Sequence, residues 1–483
     1  MACNELMEPS QGNRATASRT RPTFSNEYGA AQYARAIDYL YARINYEKTA
    51  DSAPYPFRLK RMNELLARLD LHGIAGKSVP LVHVAGTKGK GSTSTMIAAM
   101  LTAGGFRTGL YTSPHLMRLE ERFTVDGKMA SEVEVVRLID EIAGEADLLA
   151  ANKFGAPTFF ELTTAMALRH FHASGCTAIV LEVGLGGKLD STNVCHPAVT
   201  VITSIGFDHQ HILGHTLGEI AFQKAGIIKR GVPVVSGVVQ AEARTVIADI
   251  AANKQATLWE THKQFECNPQ KPSDALDWST TFDVISRDEM IHDRLGWTVP
   301  LDGEHQARNA SVACVVMDVL SAAGMSVSAA SQKSGLARTK IAGRVERFRI
   351  GDDVDLILDT AHNTDSITAL CDCIKRRSLG RPVTVVFGTS RDKEHRPMLA
   401  LLSDSSDALV LTRYHGNPRF RDPAELFHDL PLGQTATIED VPSAAVRTAI
   451  ARVSGPHLII VCGSFFLAAE VRPMIIELAA AYQ

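Results

Sequence analysis

Apolar and polar positions along this chain fall into blocks, and the period changes from block to block. Between residues 28 and 46, Ala31, Tyr33, Ala36, Tyr39, Leu40 and Ile44 recur at three- and four-residue spacing, which predicts a helix with one buried stripe. Residues 59–69 repeat the pattern. Residues 79–85 form a short, largely apolar run of the kind that makes a strand buried on both faces. The glycine-rich stretch Gly86-Thr87-Lys88-Gly89-Lys90-Gly91-Ser92 follows, and a helix is predicted over 93–101. Further strands are predicted over 108–111, 178–183, 199–205 and 232–236, with helices over 133–143 and 159–172.

Residues 258–300 break the rhythm. Short apolar patches, charges and turn residues there predict a small antiparallel β lobe. A helix follows over 304–323. Beyond Ala342-Gly343-Arg344 the alternation resumes, with strands over 356–358, 383–387, 408–411 and 457–462 and helices between them. Strands alternating with helices imply parallel, helix-covered sheets, whose strand C-termini face the crevice where ligands of open α/β sheets bind. The glycine and polar clusters of this chain all follow predicted strands, so they are expected to meet there.

Composition narrows the class. At 483 residues, two or three domains are expected. A 45% hydrophobic and 21% charged content is that of a soluble globular protein. The net charge of -3, with no basic tract, argues against nucleic acid as a partner. The eight cysteines are scattered without a Cys-x-x-Cys pair, which fits a reducing cytoplasm. No run approaches the roughly 20 apolar residues that span a bilayer. The first 26 residues are polar, lack a secretory core segment and are expected to be a disordered tail.

The glycine stretch is the strongest chemical signal. Strand, glycine loop and helix together present backbone N–H groups and a positive helix end to a phosphate. Lys90 can reach outer phosphates and Ser92 can offer a hydroxyl to a metal. The match to the standard phosphate loop is imperfect, because Gly91 separates Lys90 from Ser92 and Val84 stands where the first glycine belongs. Glu182 ends an apolar strand beside this loop, where a nucleotide-bound magnesium finds a ligand; read singly it is an ordinary strand-end charge. His209, after the next strand, is placed at the same crevice. Lys224, taken alone, reads as a surface lysine with its stem on the core. Asp359-Thr360-Ala361-His362-Asn363 is either a second half-site or a polar loop in which Asn363 or Asp365 caps the next helix.

Taken together, these clusters resemble the folylpolyglutamate synthase/dihydrofolate synthase family of Mur-ligase-like ATP-dependent amide ligases. The resemblance runs from about residue 28 to the C-terminus and is carried by nine stretches in order: His83 to Ser92, Tyr111 to Leu116, Glu182 to Asn193, Asp208-His209, Leu213-Gly214, Lys224 to Ile227, His305 to Ala310, Gly343 to Glu346, and Asp359 to Asn363. It implies an α/β fold. A P-loop ATPase domain with a mostly parallel sheet and the small antiparallel lobe would span 27–343. A smaller, Rossmann-like glutamate-ligase domain would span 344–483.

The resemblance also implies roles. Gly86, Thr87, Lys88, Gly89, Lys90, Gly91, Ser92, Asn309, Arg344, Asp359 and His362 would hold ATP. Ser92, Ser113, Glu182 and His209 would ligate magnesium, and Lys224 would join them as a carbamate formed with carbon dioxide. Lys90, Lys224, His209 and Glu182 would be catalytic. Thr158, Phe159, Phe160, Glu161, Leu189, Asp190 and Ser191 would line a pterin site. A potassium ion is a further candidate cofactor. Two departures stand out: Lys88 where the family usually has Asn, and, in the second half-site, Thr360 where glycine is common with Thr364 where proline is common. If the backbone needs φ > 0 there, Thr360 would be strained.

The expected reaction is ATP-dependent ligation of L-glutamate to dihydropteroate or to reduced folates through an acyl phosphate. It is expected in a cytoplasmic monomer whose partners are small molecules, with no nucleic acid and no membrane. Three alternatives remain at this level: the polyglutamating activity alone, a UDP-muropeptide ligase, and a non-catalytic nucleotide-binding module. Only about eighty residues precede the glycine loop, which leaves little room for a separate UDP-sugar domain.

Overall fold

The computed structural model describes residues 29–45, 59–76, 78–270 and 278–482, and the tail expected over 1–26 lies outside them. The first two helices, Ala30–Tyr41 and Leu59–Arg68, bury Ala36 and Leu40 and, in the second, Met62, Leu65 and Leu66, whereas Ala31 of the first predicted stripe is exposed and Ile44 lies beyond the helix, exposed as well.

The first sheet has eight strands: β1 (Leu81–Ala85), β2 (Thr108–Tyr111), β3 (Phe123–Val125), β4 (Lys128–Met129), β5 (Ala178–Glu182), β6 (Val199–Ile202), β7 (Val234–Ser236) and β8 (Leu258–Glu260). Their order is β4-β3-β2-β5-β1-β6-β7-β8, parallel from β2 to β8, with the β3–β4 hairpin added antiparallel at one edge. β1 and β5 are buried at every position. Their successive residues feed opposite faces, as the two-residue period requires. Leu81, Ile179 and Leu181 join the core under helices Glu132–Ala150 and Phe159–Ala173, whereas Val82, Val84 and Val180 join the core under Lys90–Ala103 and Glu304–Ala322.

The break over 258–300 divides differently from expectation. Residues 258–260 are β8 of the main sheet, paired parallel to β7. The antiparallel part is β9 (Phe265–Pro269), β10 (Thr280–Ser286) and β11 (Arg294–Val299), in the order β11-β10-β9. Phe265, Phe282, Val284 and Val299 share the core of the main sheet, so this small sheet is not a free lobe.

The C-terminal sheet contains β12 (Glu346–Gly351), β13 (Val354–Leu358), β14 (Val383–Phe387), β15 (Ala408–Leu411), β16 (Ala436–Ile438) and β17 (His457–Cys462). Its order is β12-β13-β17-β14-β15-β16, parallel except for β12. The two halves are joined by polar and apolar contacts. Asp302, just after β11, accepts from Arg377 Nε at 3.0 Å and from Arg376 Nη2 at 3.2 Å. The Arg347 and Arg377 guanidinium groups lie 4.9 and 5.3 Å from the Trp278 ring centre. Leu116, from the loop after β2, packs on the C-terminal core.

Candidate nucleotide and metal site

The C-terminal ends of both parallel sheets open on one cavity of about 3020 Å³. Its wall includes Thr87 to Ser92, Ser113, Glu182, His209, Asn309, Arg344, Asp359 and His362, so segments distant in sequence do converge.

The glycine loop is held by its backbone. Thr87 N donates to Ser204 O at 2.8 Å and Lys88 N to Ser204 Oγ at 2.9 Å. The Lys88 carbonyl accepts from Thr203 Oγ1 at 2.6 Å and from Ser204 Oγ at 3.0 Å. Gly89 caps the following helix at φ +82°, and a Cβ there would sit 2.2 Å from Asn309 Oδ1. That close approach requires glycine and places Asn309 directly on the loop. A Cβ on Gly86, at φ +153°, would lie 2.0 Å from Thr203 Oγ1. The helix begins at Lys90 rather than at the expected Thr93, which puts Lys90 to Ser92 in its first turn, where N–H groups have no intrahelical partner.

Glu182 is only 3% exposed, and Oε2 accepts from Ser113 N at 3.0 Å. Burial raises its pKa, against the opposing fields of Lys90, Arg344 and Arg122. Among the described residues it has no ion-pair partner within 4 Å. A buried carboxylate on the cavity wall with one backbone donor fits a cation, as do the hydroxyls of Ser92 and Ser113 and the His209 imidazole, which line the same cavity. His209 is half-exposed and sits in the left-handed region at φ 48°. No group of three or more His, Cys, Asp or Glu side chains among the described residues is already gathered as a metal cage. The donors therefore suit a cation shared with a ligand rather than a closed structural site.

Lys224 is not a surface lysine. It is 4% exposed, and its Nζ donates to Gly86 O at 2.9 Å from behind the loop. Burial, reinforced by Lys90, pulls its pKa from 10.5 to about 7. The amine is off the cavity wall in this arrangement.

On the C-terminal side, Asp359 is buried and accepts from Val345 N and Ala361 N, both at 2.7 Å. Arg344 Nη1 donates to Thr360 Oγ1 at 2.7 Å, and its guanidinium lies 5.3 Å from the Phe465 ring centre. The strain considered for Thr360 is absent; positive φ falls instead on Gly343 (64°) and Val345 (47°). His362 Nδ1 lies 2.9 Å from Thr360 O, which makes it the protonated nitrogen. Burial and the nearby Lys88 lower the His362 pKa to about 4, so the ring is neutral. Asn363 is the N-cap of helix Thr364–Arg377.

The expected pterin residues divide. Phe160 and Leu189 reach the cavity wall. Thr158 and Glu161 form a capping box, with Glu161 also held by Arg61 Nε at 2.9 Å. Phe159 is buried, stacked at 5.4 Å on Tyr41, and Ser191 starts a short helical turn. Asp190 turns inward to Leu185 N at 3.0 Å and Thr192 N at 2.9 Å. The cavity also takes in His115, from the Tyr111 to Leu116 stretch, and Arg122, Lys393, Arg419 and Ser464, which are not among the residues the sequence assigns to the site. None of these carries a local spacing signal; only the fold brings them to the site.

Comparison with known proteins places these features in context. The Mur ligase middle-domain family matches residues 84–317, and the Mur ligase glutamate ligase domain family matches 343–465. The chain is 32% identical to a dihydrofolate synthase/folylpolyglutamate synthase of Bacillus subtilis, over 86% of this chain and 94% of that protein. It is similar to the structure of Mycobacterium tuberculosis folylpolyglutamate synthase complexed with ADP and AMPPCP, at 28% identity and a TM-score of 0.79, covering 92% of this chain and 98% of that one. It is also similar to E. coli FolC in complex with DHPP and ADP, at 28% identity and a TM-score of 0.75, covering 92% and 98%.

Proposed function

The chain belongs to the dihydrofolate synthase/folylpolyglutamate synthase family of Mur ligases, and from that premise we propose that it joins L-glutamate both to dihydropteroate and to reduced folates. It is an ATP-dependent amide-bond ligase. The observation that carries the reading is the meeting of the glycine loop, Glu182 and the Asp359–His362 turn on one cavity between two sheets.

The substrate carboxylate takes the γ-phosphoryl group of ATP, giving an acyl phosphate and ADP. The glutamate amine then attacks the acyl carbon, phosphate leaves, and the amine proton passes to solvent or to a nearby base. The N–H groups of Gly89 to Ser92 and the Lys90 ammonium hold the phosphates; Asn309, Arg344, Asp359 and His362 hold the nucleotide from the other side. Bound magnesium would neutralise charge on the phosphoryl oxygens, held by Ser92, Ser113, Glu182 and His209. Lys224 supplies a neutral amine near pH 7, the form that adds carbon dioxide to give a carbamate. Phe160 and Leu189 give the pterin an apolar wall, with Thr158, Phe159, Glu161, Asp190 and Ser191 shaping it from behind.

We place the catalytic halves at 27–343 and 344–483, in a cytoplasmic monomer that takes small molecules and, as a further cofactor, potassium. The net charge of -3 supports the exclusion of nucleic acid. Among the described residues no helix is long and apolar enough to cross a membrane. Glutamate-dependent ADP release, measured separately with dihydropteroate and with tetrahydrofolate, tests the proposal. Turnover with both acceptors is expected. Turnover with tetrahydrofolate alone reduces the activity to polyglutamation, and turnover with neither removes the reading.

A further inference from the structure

Lys88 is fixed at its backbone and loose at its tip. Its N–H and carbonyl are held by the Thr203 and Ser204 hydroxyls, as described above. Its side chain is 44% exposed on the cavity wall, and Nζ stands 3.6 Å from Asp208 Oδ2, a distance of ion pairing without a short hydrogen bond. Asp208 is held from its other side: Oδ1 accepts from the His209 backbone N–H at 3.1 Å and lies 3.7 Å from His209 Nε2. The carboxylate therefore lies between the loop cation and a candidate metal ligand. Loose, partly exposed pairs of this kind are weak and readily exchanged.

An incoming triphosphate changes that balance. It brings several negative charges to Gly89–Ser92, the residues directly after Lys88, and offers the ammonium a stronger partner than one carboxylate. If the lysine tip turns to the phosphate, Asp208 loses its cation while remaining fixed by the His209 N–H. An anionic oxygen is then left beside the His209 imidazole, in the mixed oxygen and imidazole surroundings that suit a divalent cation.

The geometry points to Lys88 and Asp208 as a charge-exchange pair. The lysine neutralises Asp208 in the free protein, moves to the nucleotide phosphates on binding, and releases the Asp208 carboxylate to the divalent-cation site beside His209. This rests on the nucleotide-site reading above and adds Asp208 to the donor set. It makes metal and nucleotide binding cooperative, because each removes a charge that opposes the other.

The test uses the full chain with metal-free ADP, with Mn2+ alone and with both, read by calorimetry and by the electron paramagnetic resonance of free Mn2+. Lys88→Asn is expected to weaken metal-free ADP about tenfold and to tighten Mn2+ alone by several-fold, since Asp208 is no longer neutralised. Asp208→Asn is expected to do the reverse: metal-free ADP tightens and Mn2+ in the presence of ADP weakens. Lys88→Met serves as a second variant, and thermal melts confirm folding. Shifts of the same sign for both ligands in Lys88→Asn, or no shift in either, overturn the exchange. If the unaltered chain binds neither ADP nor Mn2+ with ADP, the nucleotide-site reading itself fails, which is a separate outcome.

Discussion

The two parallel sheets offer similar strand ends to one cavity, yet they equip those ends differently. After β1, recognition is built from backbone: glycines at positive φ, carbonyls and N–H groups locked by Thr203 and Ser204, and a helix whose first turn faces the cavity. After β13, it is built from side chains: Arg344 on Thr360 and Phe465, a buried Asp359, and a neutral His362. Backbone recognition tolerates almost no added atom. Side-chain recognition tolerates substitution but depends on how the second half is docked. On the proposed reading, the first half offers a preformed anion cradle, while the second is expected to contribute only when its contacts with the first hold it in place.

The sharpest test of the backbone half is the lysine behind it. Lys224→Ala is expected to reduce ligation to background while leaving the fold, because the amine proposed to carry the carbamate is gone; near-normal turnover would remove Lys224 from the mechanism. Its ionisation also gives a signed pH effect. The folded pKa, about 7, lies below the ordinary 10.5, so the unfolded chain binds more protons between those values. This group's contribution to stability therefore rises from about pH 7 to 10.5 and is lost as pH falls through 7. Subtracting the urea stability of Lys224→Met from that of the unaltered protein, between pH 6.5 and 9, should give a difference that grows with pH.

Gly89→Ala comes next in size. The added Cβ meets Asn309 Oδ1 at 2.2 Å in a backbone conformation that alanine disfavours. A loss of about 3 kcal/mol, roughly a hundredfold in ADP affinity, is expected by calorimetry. An affinity within threefold of normal would mean that the cradle is not the nucleotide site.

How much of this contrast could be read in the sequence follows from the same difference. The strands over 108–111, 383–387, 408–411 and 457–462 coincide with those observed, because buried parallel strands are continuous apolar runs. The glycine loop was legible for a similar reason: its residues are adjacent in sequence and do their work locally. Its helix start was misplaced because Gly89 and Gly91 are poor helix signals, although the turn is held by tertiary contacts. Thr158-x-x-Glu161 is a capping-box spacing, and the structure uses it as one. Lys224 could not be read from its own neighbours, since its partner carbonyl on Gly86 is 138 positions away, and only the family resemblance moved it off the surface. The division of 258–300 was hidden because a three-residue strand such as β8 has too few positions to show a period.

The docking of the second half is tested at Asp302. This buried carboxylate receives Arg377 and Arg376 from helix Thr364–Arg377, and burial alone would raise its pKa, yet Arg377 holds it lowered. Asp302→Ala strips a carboxylate from a buried guanidinium, which costs about 3 kcal/mol. The expected result is a lower urea midpoint together with a raised KM for glutamate and a smaller loss of metal-free ADP affinity, since the phosphate-facing glycine loop lies in the first half and only Arg344, Asp359 and His362 come from the second. If ADP affinity fell in step with glutamate KM, the two halves would not be separable as drawn.

The smallest effect should come from Thr360→Val, and it bears most directly on the division between the halves. The hydroxyl accepts from Arg344 Nη1 at 2.7 Å and donates to Gly343 O at 3.1 Å, so it ties the linker to the strand end after β13. Valine keeps the shape and removes both bonds. One polar contact on a charged donor is worth about 1.5 to 3 kcal/mol, less whatever water recovers at the cavity edge. Arg344 would keep its place over Phe465 but lose its aim, so KM for ATP should rise a few-fold with kcat nearly unchanged. Thr360→Ser should restore it, because serine returns the hydroxyl. If instead valine were neutral and serine impaired, the methyl group packed 2.7 Å from the position of a Gly343 Cβ would be the part that matters. The second half would then be set by packing rather than by polar aim.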